Sequence, residues 1–198
     1  MNMKRPALAN TPSKPGSDVV AETAAALAAG AMVVRGADPY RAAVYTRHAE
    51  QLFRFANEHR GKYSDSFPEA TEDFYKSYSY KDELAWAAAW LYRLTGTAQA
   101  LGGLVLCQFL FKKEAQRKKP FCITLKQSLC DKWADEARKQ YEDSGSQWTG
   151  STFSWDDKKP GTIALMAKVT GDTKYSAALG ACFAISPDNK SNVSIFNL

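Results

Sequence analysis

Residues 79–96 read Ser-Tyr-Lys-Asp-Glu-Leu-Ala-Trp-Ala-Ala-Ala-Trp-Leu-Tyr-Arg-Leu-Thr-Gly, and this stretch decides the fold class. Ser79, followed three residues later by Asp82, is a pattern typical of a helix start. Gly96 is expected to end the helix. Between them the apolar residues recur at helical spacing and predict one buried stripe, formed by Leu84, Ala87, Ala88 and Leu91.

Two more helices are predicted before this stretch. Asp38 precedes Pro39, an arrangement typical of an N-cap followed by proline at the first helical position, and Gly61 is expected to end that helix. Ser17 and Asp18 are predicted to cap an earlier helix. Its body is so rich in alanine that we expect it to pack closely against its neighbours.

The rest of the chain continues the helical pattern. Helices are predicted at about 98–117, 128–142, 161–170 and 173–185, and the polar stretch 61–79 is predicted to be a loop. No segment shows sustained alternation of apolar and polar residues, the pattern of a half-buried strand. The fold class is therefore predicted to be all-α.

Composition limits the classes of partner. A chain of 198 residues with 45% hydrophobic and 24% charged residues is predicted to be globular, with one domain. The net charge is +5, but basic residues are dispersed except for a cluster within 112–119, so nucleic acid is not expected as a partner. No apolar run reaches the ~20 residues of a membrane span and no export signal is predicted, so we expect no membrane partner.

Metal chemistry based on cysteine and histidine is also not expected. The four cysteines show no Cys-x-x-Cys spacing and the chain has only two histidines, too few for a typical zinc site. The cysteines are interpreted as buried or free thiols. Any metal site is therefore expected to use oxygen ligands.

Several ordered motifs closely resemble glycoside hydrolase family nine, and most of all its animal branch. The motifs are Pro15-Gly-Ser-Asp18, Glu22-Thr-Ala-Ala-Ala-Leu-Ala-Ala29, Arg60-Gly-Lys-Tyr-Ser-Asp-Ser66, Phe74-Tyr75, Tyr80-Lys-Asp-Glu-Leu-Ala-Trp86, Ala89-Trp-Leu-Tyr-Arg93 and Phe153-Ser-Trp-Asp-Asp-Lys158.

The resemblance covers roughly residues 13–97 and 146–175. We therefore predict a partial catalytic domain over residues 13–178, with an unmatched insertion at 98–127. An unmatched N-terminal segment at 1–12 and an unmatched tail at 179–198 complete the predicted division of the chain.

Membership of this family implies part of an (α/α)6 barrel, the six-hairpin helical toroid. It also implies an endo-β-1,4-glucanase, a secreted, extracellular cellulase that hydrolyses internal β-1,4-glucosidic bonds of cellulose with inversion. Family members carry an Asp-Ala-Gly-Asp motif and, near the C-terminus, an Asn-Glu motif, which supply the catalytic carboxyl groups. The sequence contains neither at those places, so no catalytic residue is assigned and the chain alone is expected to be inactive. The alternative is a non-catalytic helical or degenerate glucan-binding module.

The resemblance also implies a structural calcium site. The family's equivalents of Ser79, Asp82, Glu83 and Asp156 gather around a calcium ion, and hard oxygen ligands of this kind suit calcium. The alternative interpretation is helix capping, because Asp82 and Glu83 lie in the first turn of the predicted helix, where free amides favour carboxylates.

Tyr75 and Tyr78 align with aromatic residues that line the glucan-binding cleft of the family. A tyrosine offers a ring face for a sugar and a hydroxyl for hydrogen bonding. The alternative is that both residues only wedge their loop onto the barrel. Core packing is expected for three tryptophans, Trp86, Trp90 and Trp155.

Overall fold

The structure is a computed structural model that describes residues 7–71, 75–100, 119–145 and 153–184. These residues form helices and no strand beyond a single isolated bridge between Thr11 and Lys14, which confirms the all-α prediction for this part of the chain. In chain order the helices are α1 (Ser17–Val34), α2 (Pro39–Glu58), α3 (Tyr63–Ser66), α4 (Pro68–Thr71), α5 (Lys81–Ala100), α6 (Lys119–Asp143), α7 (Lys159–Thr170) and α8 (Thr173–Ala184).

Helices α1 and α2 form an antiparallel hairpin. The Ser17 hydroxyl at the start of α1 donates to the Ala56 carbonyl near the end of α2, at 2.8 Å. A methyl group on Gly30, near the end of α1, would lie 3.5 Å from the ring of Tyr45 in the first half of α2. Small residues permit this close approach, and the face of α1 that they form is buried at Ala21, Ala24, Ala25, Ala28 and Ala31.

The capping predictions met different outcomes. Asp38 caps α2 as predicted, because its side chain accepts a hydrogen bond from the Arg41 amide at 2.9 Å. The prediction for α1 is confirmed for Asp18, an acid in the first turn whose carboxylate accepts from the Val19 amide at 2.9 Å, and was wrong for Ser17, since the N-cap is Gly16 and makes no side-chain cap. Both residues lie inside the first turn of α1, and their side chains also bond to the chain that follows α2, where Ser17 donates to the His59 carbonyl and Asp18 accepts from the Tyr63 amide.

Helix α5 lies at the centre of the packing and contacts α1, α6 and α7. Its predicted apolar stripe is confirmed, because Leu84, Ala87, Ala88 and Leu91 are fully buried. Gly96 does not end the helix as predicted, since α5 continues to Ala100. Tyr175 on α8 is fully buried against Tyr141 on α6, with ring centroids 5.0 Å apart.

Several predicted boundaries moved. The stretch 61–79 is not entirely a loop, because α3 and α4 each make one helical turn there. Helix α6 begins at Lys119, earlier than the predicted residue 128, and α7 begins at Lys159 and ends before Gly171, whose φ of +66° fits a left-handed cap. Most of the helix predicted at 98–117 lies outside the described residues.

Among the described residues, α1 alone is long and apolar enough to cross a membrane by length and composition, with a mean hydropathy of 1.5 over 18 residues. Its alanine face nevertheless packs against α2 and α5. The composition therefore reflects a tightly packed helix within the core.

Candidate functional site

Two segments that are far apart in sequence meet at the start of α5. One is the strap, residues 75–80, which leads into α5, and the other is the turn, residues 153–158, which leads into α7. The Tyr78 amide donates to the Asp156 carboxylate at 3.2 Å, and the rings of Tyr75 and Trp155 meet edge to face with centroids 5.6 Å apart. The strap and the turn thus form one surface.

Asp82 joins the turn to α5. Its carboxylate accepts a hydrogen bond from the Lys158 amide at 2.8 Å, so an acid in the first turn of α5 caps the start of α7. Asp82 and Glu83 are each only 2% exposed. Of the described residues, none donates to Asp82 Oδ1 or to Glu83 Oε2. A buried carboxylate oxygen without a donor is costly, so this pair needs a proton or a cation.

The electrostatics of the pair agree with that requirement. Burial, and then the negative charge of Asp82, raise the pKa of Glu83 from 4.5 to about 9. Burial raises the pKa of Asp156 as well, and the Tyr78 amide opposes this shift while the charges of Asp82 and Asp18 add to it. These four carboxyl groups therefore share one electrostatic neighbourhood.

Asp18 is the member of this neighbourhood that the sequence analysis missed as a site residue. Burial raises its pKa, against the opposing hydrogen bonds from the Val19 amide, the Ser77 side chain and the Tyr63 amide. The Tyr63 amide lies 3.1 Å from Asp18 Oδ1. Its place in the Pro-Gly-Ser-Asp motif was the available signal, but we interpreted it as a helix cap.

Ser79 has a different role in this geometry. Its hydroxyl accepts a hydrogen bond from the Lys81 amide at 3.1 Å, which satisfies an amide in the first turn of α5. Within the described ranges, no three His, Cys, Asp or Glu side chains converge closely enough to hold a metal ion by themselves. Two of the predicted ligands make direct hydrogen bonds across the site. Asp82 on α5 accepts from the turn, and Asp156 on the turn accepts from the strap. A cation site would add main-chain or hydroxyl oxygens to them.

The outer side of the strap and the turn is aromatic. Tyr75 is 70% exposed, Tyr78 is 86% exposed and Trp155 is 49% exposed. The prediction that Trp155 packs in the core was wrong, because its segment turns outward before α7 begins. Trp86 and Trp90 do pack against the core, edge to face at 5.5 Å, as predicted.

Tyr75 adopts an unusual backbone conformation that supports this surface. It is, within the described ranges, the one residue other than glycine with a positive φ, at +60°. Left-handed backbone is costly for a tyrosine and persists where surrounding contacts determine it. The Tyr63 hydroxyl donates to the Tyr75 carbonyl, and the Trp155 ring contacts the Tyr75 side chain.

The all-α architecture, with the α1–α2 hairpin packed against α5, is consistent with the helical fold that the resemblance predicted. The family model for glycosyl hydrolase family 9 matches residues 1–193. The chain belongs to this family, and its helices form part of the six-hairpin glycosidase fold.

Named relatives and a solved structure agree. The chain is 42% identical over 176 residues to endoglucanase B of Cellulomonas fimi, covering 88% of this chain and 14% of that protein. It is 37% identical over 170 residues to endoglucanase 18 of Oryza sativa subsp. japonica, covering 86% of this chain and 26% of that protein. The structure of an endoglucanase from the termite Nasutitermes takasagoensis is 36% identical with a TM-score of 0.70, covering 92% of this chain and 34% of that chain.

The sequence therefore spans between about a seventh and a third of these relatives. The division of the chain into residues 13–178 and unmatched segments stays a prediction. The family match itself extends from residue 1 to residue 193.

Proposed function

We propose that the chain is part of an endo-β-1,4-glucanase and supplies a surface that binds β-1,4-glucan. The observation that carries the proposal is the exposed aromatic group of Tyr75, Tyr78 and Trp155 on one surface. Pyranose rings of a β-1,4-glucan have apolar faces, and exposed aromatic rings bind such faces while hydroxyl groups bond with polar neighbours. The named relatives are endoglucanases.

The described acids of the site do not fit a role in hydrolysis. An inverting glycosidase needs two carboxyl groups about 6.5–9.5 Å apart, on opposite sides of the scissile bond. Asp82 and Glu83 are adjacent in one helix and are buried, and Asp82 is bound to the Lys158 amide. We therefore assign no catalytic residue and expect no hydrolysis of soluble cellulose derivatives by this chain. Measurable activity of the pure chain would contradict that assignment.

A structural calcium ion fits the buried acids better. The free oxygens of Asp82 and Glu83 and the nearby carboxylate of Asp156 are hard ligands, and Ser79 precedes them on the strap. In the described structure the three acids do not converge closely enough to hold the ion by themselves, so main-chain and hydroxyl oxygens of the strap, that of Ser79 among them, would have to complete its coordination. When bound, calcium would neutralise the carboxylates and fix the strap against the turn.

The site of action follows from the substrate. Cellulose is a polymer that does not cross membranes, so an enzyme that cleaves it must meet it outside the cell. We infer an extracellular enzyme.

Binding of cellopentaose to the 198-residue chain tests the proposed function. Replacing Trp155 or Tyr75 by alanine is expected to weaken binding about 5- to 10-fold each, the effect of losing about 1 kcal/mol of ring contact. Tyr40→Ala is the matched control, because Tyr40 is 69% exposed at the start of α2. Equal affinity of all variants would refute the proposal.

The alternative, a non-catalytic glucan-binding module, predicts the same binding result. It is separated by a different experiment, in which this chain replaces the corresponding segment of the termite endoglucanase. Hydrolysis of a soluble cellulose derivative by the chimera supports an enzyme segment. A folded chimera that binds glucan without hydrolysis supports the module.

A further inference from the structure

Lys158 places a buried ammonium group behind the turn. Its side chain is 5% exposed, and the ammonium lies 2.7 Å from the carboxylate of Glu22 on α1. It also donates to the carbonyls of Ser154 at 2.7 Å and of Trp155 at 3.0 Å. An ammonium has three donors, so all of its hydrogen-bonding capacity is directed at these three groups.

The main chain of the same residue makes a separate connection. The Lys158 amide donates to Asp82 on α5, whereas its side chain reaches Glu22 on α1. One residue thus attaches the turn to two helices of the core. The Lys158 ammonium also binds the carbonyl of Trp155. This contact fixes the backbone that carries the exposed indole.

Stability alone does not explain a charge in this position. Removing an ammonium from water is costly, and an apolar side chain of similar length often replaces a buried ion pair with no loss of stability. Glu22 is half exposed, at 48%, so water reaches the carboxylate side of this ion pair. What an apolar side chain could not do is donate to two carbonyls of the turn.

We propose that Lys158 is a positioning residue for the glucan-binding aromatic surface, acting through the carbonyls of Ser154 and Trp155 with Glu22 as its counterion. This inference rests on the proposed function. A ring held in its bound direction before the ligand arrives loses less freedom on binding. The structure connects Lys158 to the surface directly, because Trp155 in turn contacts Tyr75.

The test uses the full chain labelled with 5-fluorotryptophan, which gives one fluorine signal for each of its five tryptophans. Trp155→Phe assigns the signal of interest. Lys158→Met is expected to move or broaden the Trp155 signal while the signal of Trp133, which packs against Phe53 on α2, stays in place. The affinity for cellopentaose is expected to fall about 3- to 10-fold, the effect of one side chain that must be ordered on binding.

Three further variants define the mechanism. Lys158→Arg keeps donors for the carbonyls and should retain most of the affinity. Glu22→Gln removes the counterion and should change the Trp155 signal in the same direction as Lys158→Met, to a smaller degree. Lys168→Met, an exposed lysine on α7, is the matched control and should change neither reading.

The outcomes separate this inference from the proposed function. If Lys158→Met shifts the Trp155 signal but the parent chain does not bind cellopentaose, lysine positions the indole and the glucan proposal fails. If the parent binds and Lys158→Met matches it in both signal and affinity, the positioning role is refuted. A loss of affinity in which all tryptophan signals move together would also refute it, because it would indicate general unfolding.

Discussion

Replacing Asp82 by asparagine is expected to remove most of the stabilisation of this chain by calcium. In the parent chain the Asp82 carboxylate accepts from the Lys158 amide at 2.8 Å. Asparagine keeps a side-chain oxygen for this hydrogen bond and removes the negative charge. In the absence of calcium the variant should therefore unfold close to the parent, within about 1 kcal/mol. The loss of one negative charge beside Glu83 offsets part of any cost.

The magnitude in calcium follows from preferential binding to the folded state. At a calcium concentration of about 100 times the Kd, a single site adds about 2.7 kcal/mol. For a chain of 198 residues, about 1 kcal/mol corresponds to 2–4 °C in Tm, so the parent should melt about 5–11 °C higher in calcium than in chelator. The Asp82→Asn variant should show only a small part of that difference.

Thermal unfolding followed by circular dichroism, in calcium and in chelator, measures these differences. Asp157→Asn is the matched control, because Asp157 lies in the same turn and accepts from the Lys159 amide without belonging to the predicted ligand set. If the acids act only as helix caps, Asp82→Ala lowers stability by roughly 1 kcal/mol equally with and without calcium. A parent chain that melts at the same temperature in calcium and in chelator would refute the calcium site.

Three other changes test the packing and the electrostatics, each by thermal or urea unfolding. Gly161→Ala should destabilise by about 1 kcal/mol, because the new methyl would lie 2.5 Å from the Phe153 ring; an unchanged Tm would show that the ring moves away freely. Tyr175→Phe should be neutral or stabilising by about 1 kcal/mol, because this buried hydroxyl has no partner among the described residues, and a clear loss would reveal one. Burial raises the pKa of Glu50 more than Lys132 and Arg54 lower it. The free energy of unfolding therefore includes a contribution from protonated Glu50. This contribution is fully present below the pKa of Glu50 in the unfolded state and is lost as the pH rises through its pKa in the folded state. Glu50→Gln should thus gain stability relative to the parent as the pH rises above 4.5, the ordinary pKa of this carboxyl group, and a relative loss would contradict this reasoning.

Local patterns predicted the helices because their signals lie within a few residues. The Asp38 cap and the stripe from Leu84 to Leu91 each depend on neighbours one or two turns away. Gly96 misled the prediction, since a single glycine costs a helix only about 1 kcal/mol and does not by itself end it. The helix starts were less predictable than the helices themselves.

The site was harder to predict because its parts come from distant segments. Asp82 and Asp156 were expected together only because of the family resemblance, and the structure connects them through the turn. Trp155 was expected in the core, because it stands beside an acid that was expected to be buried, and tryptophan side chains are on average highly buried. Its exposure depends on how Asp82 and Lys158 hold the turn, and Asp82 lies 76 residues from Lys158 along the chain, out of reach of any local pattern.

The two attachments of the turn have different physical consequences. The hydrogen bond between the Lys158 amide and Asp82 involves one of the buried acids. Its strength should therefore change when a proton or a cation neutralises these acids. The contact from Lys158 goes to Glu22, outside that group of acids, and should persist when the acids are neutralised or removed. Calcium and Lys158 would then act on the aromatic surface through different helices, α5 and α1. Asp82→Asn is therefore expected to change mainly stability, whereas Lys158→Met is expected to change mainly the direction of the Trp155 ring and the affinity for glucan.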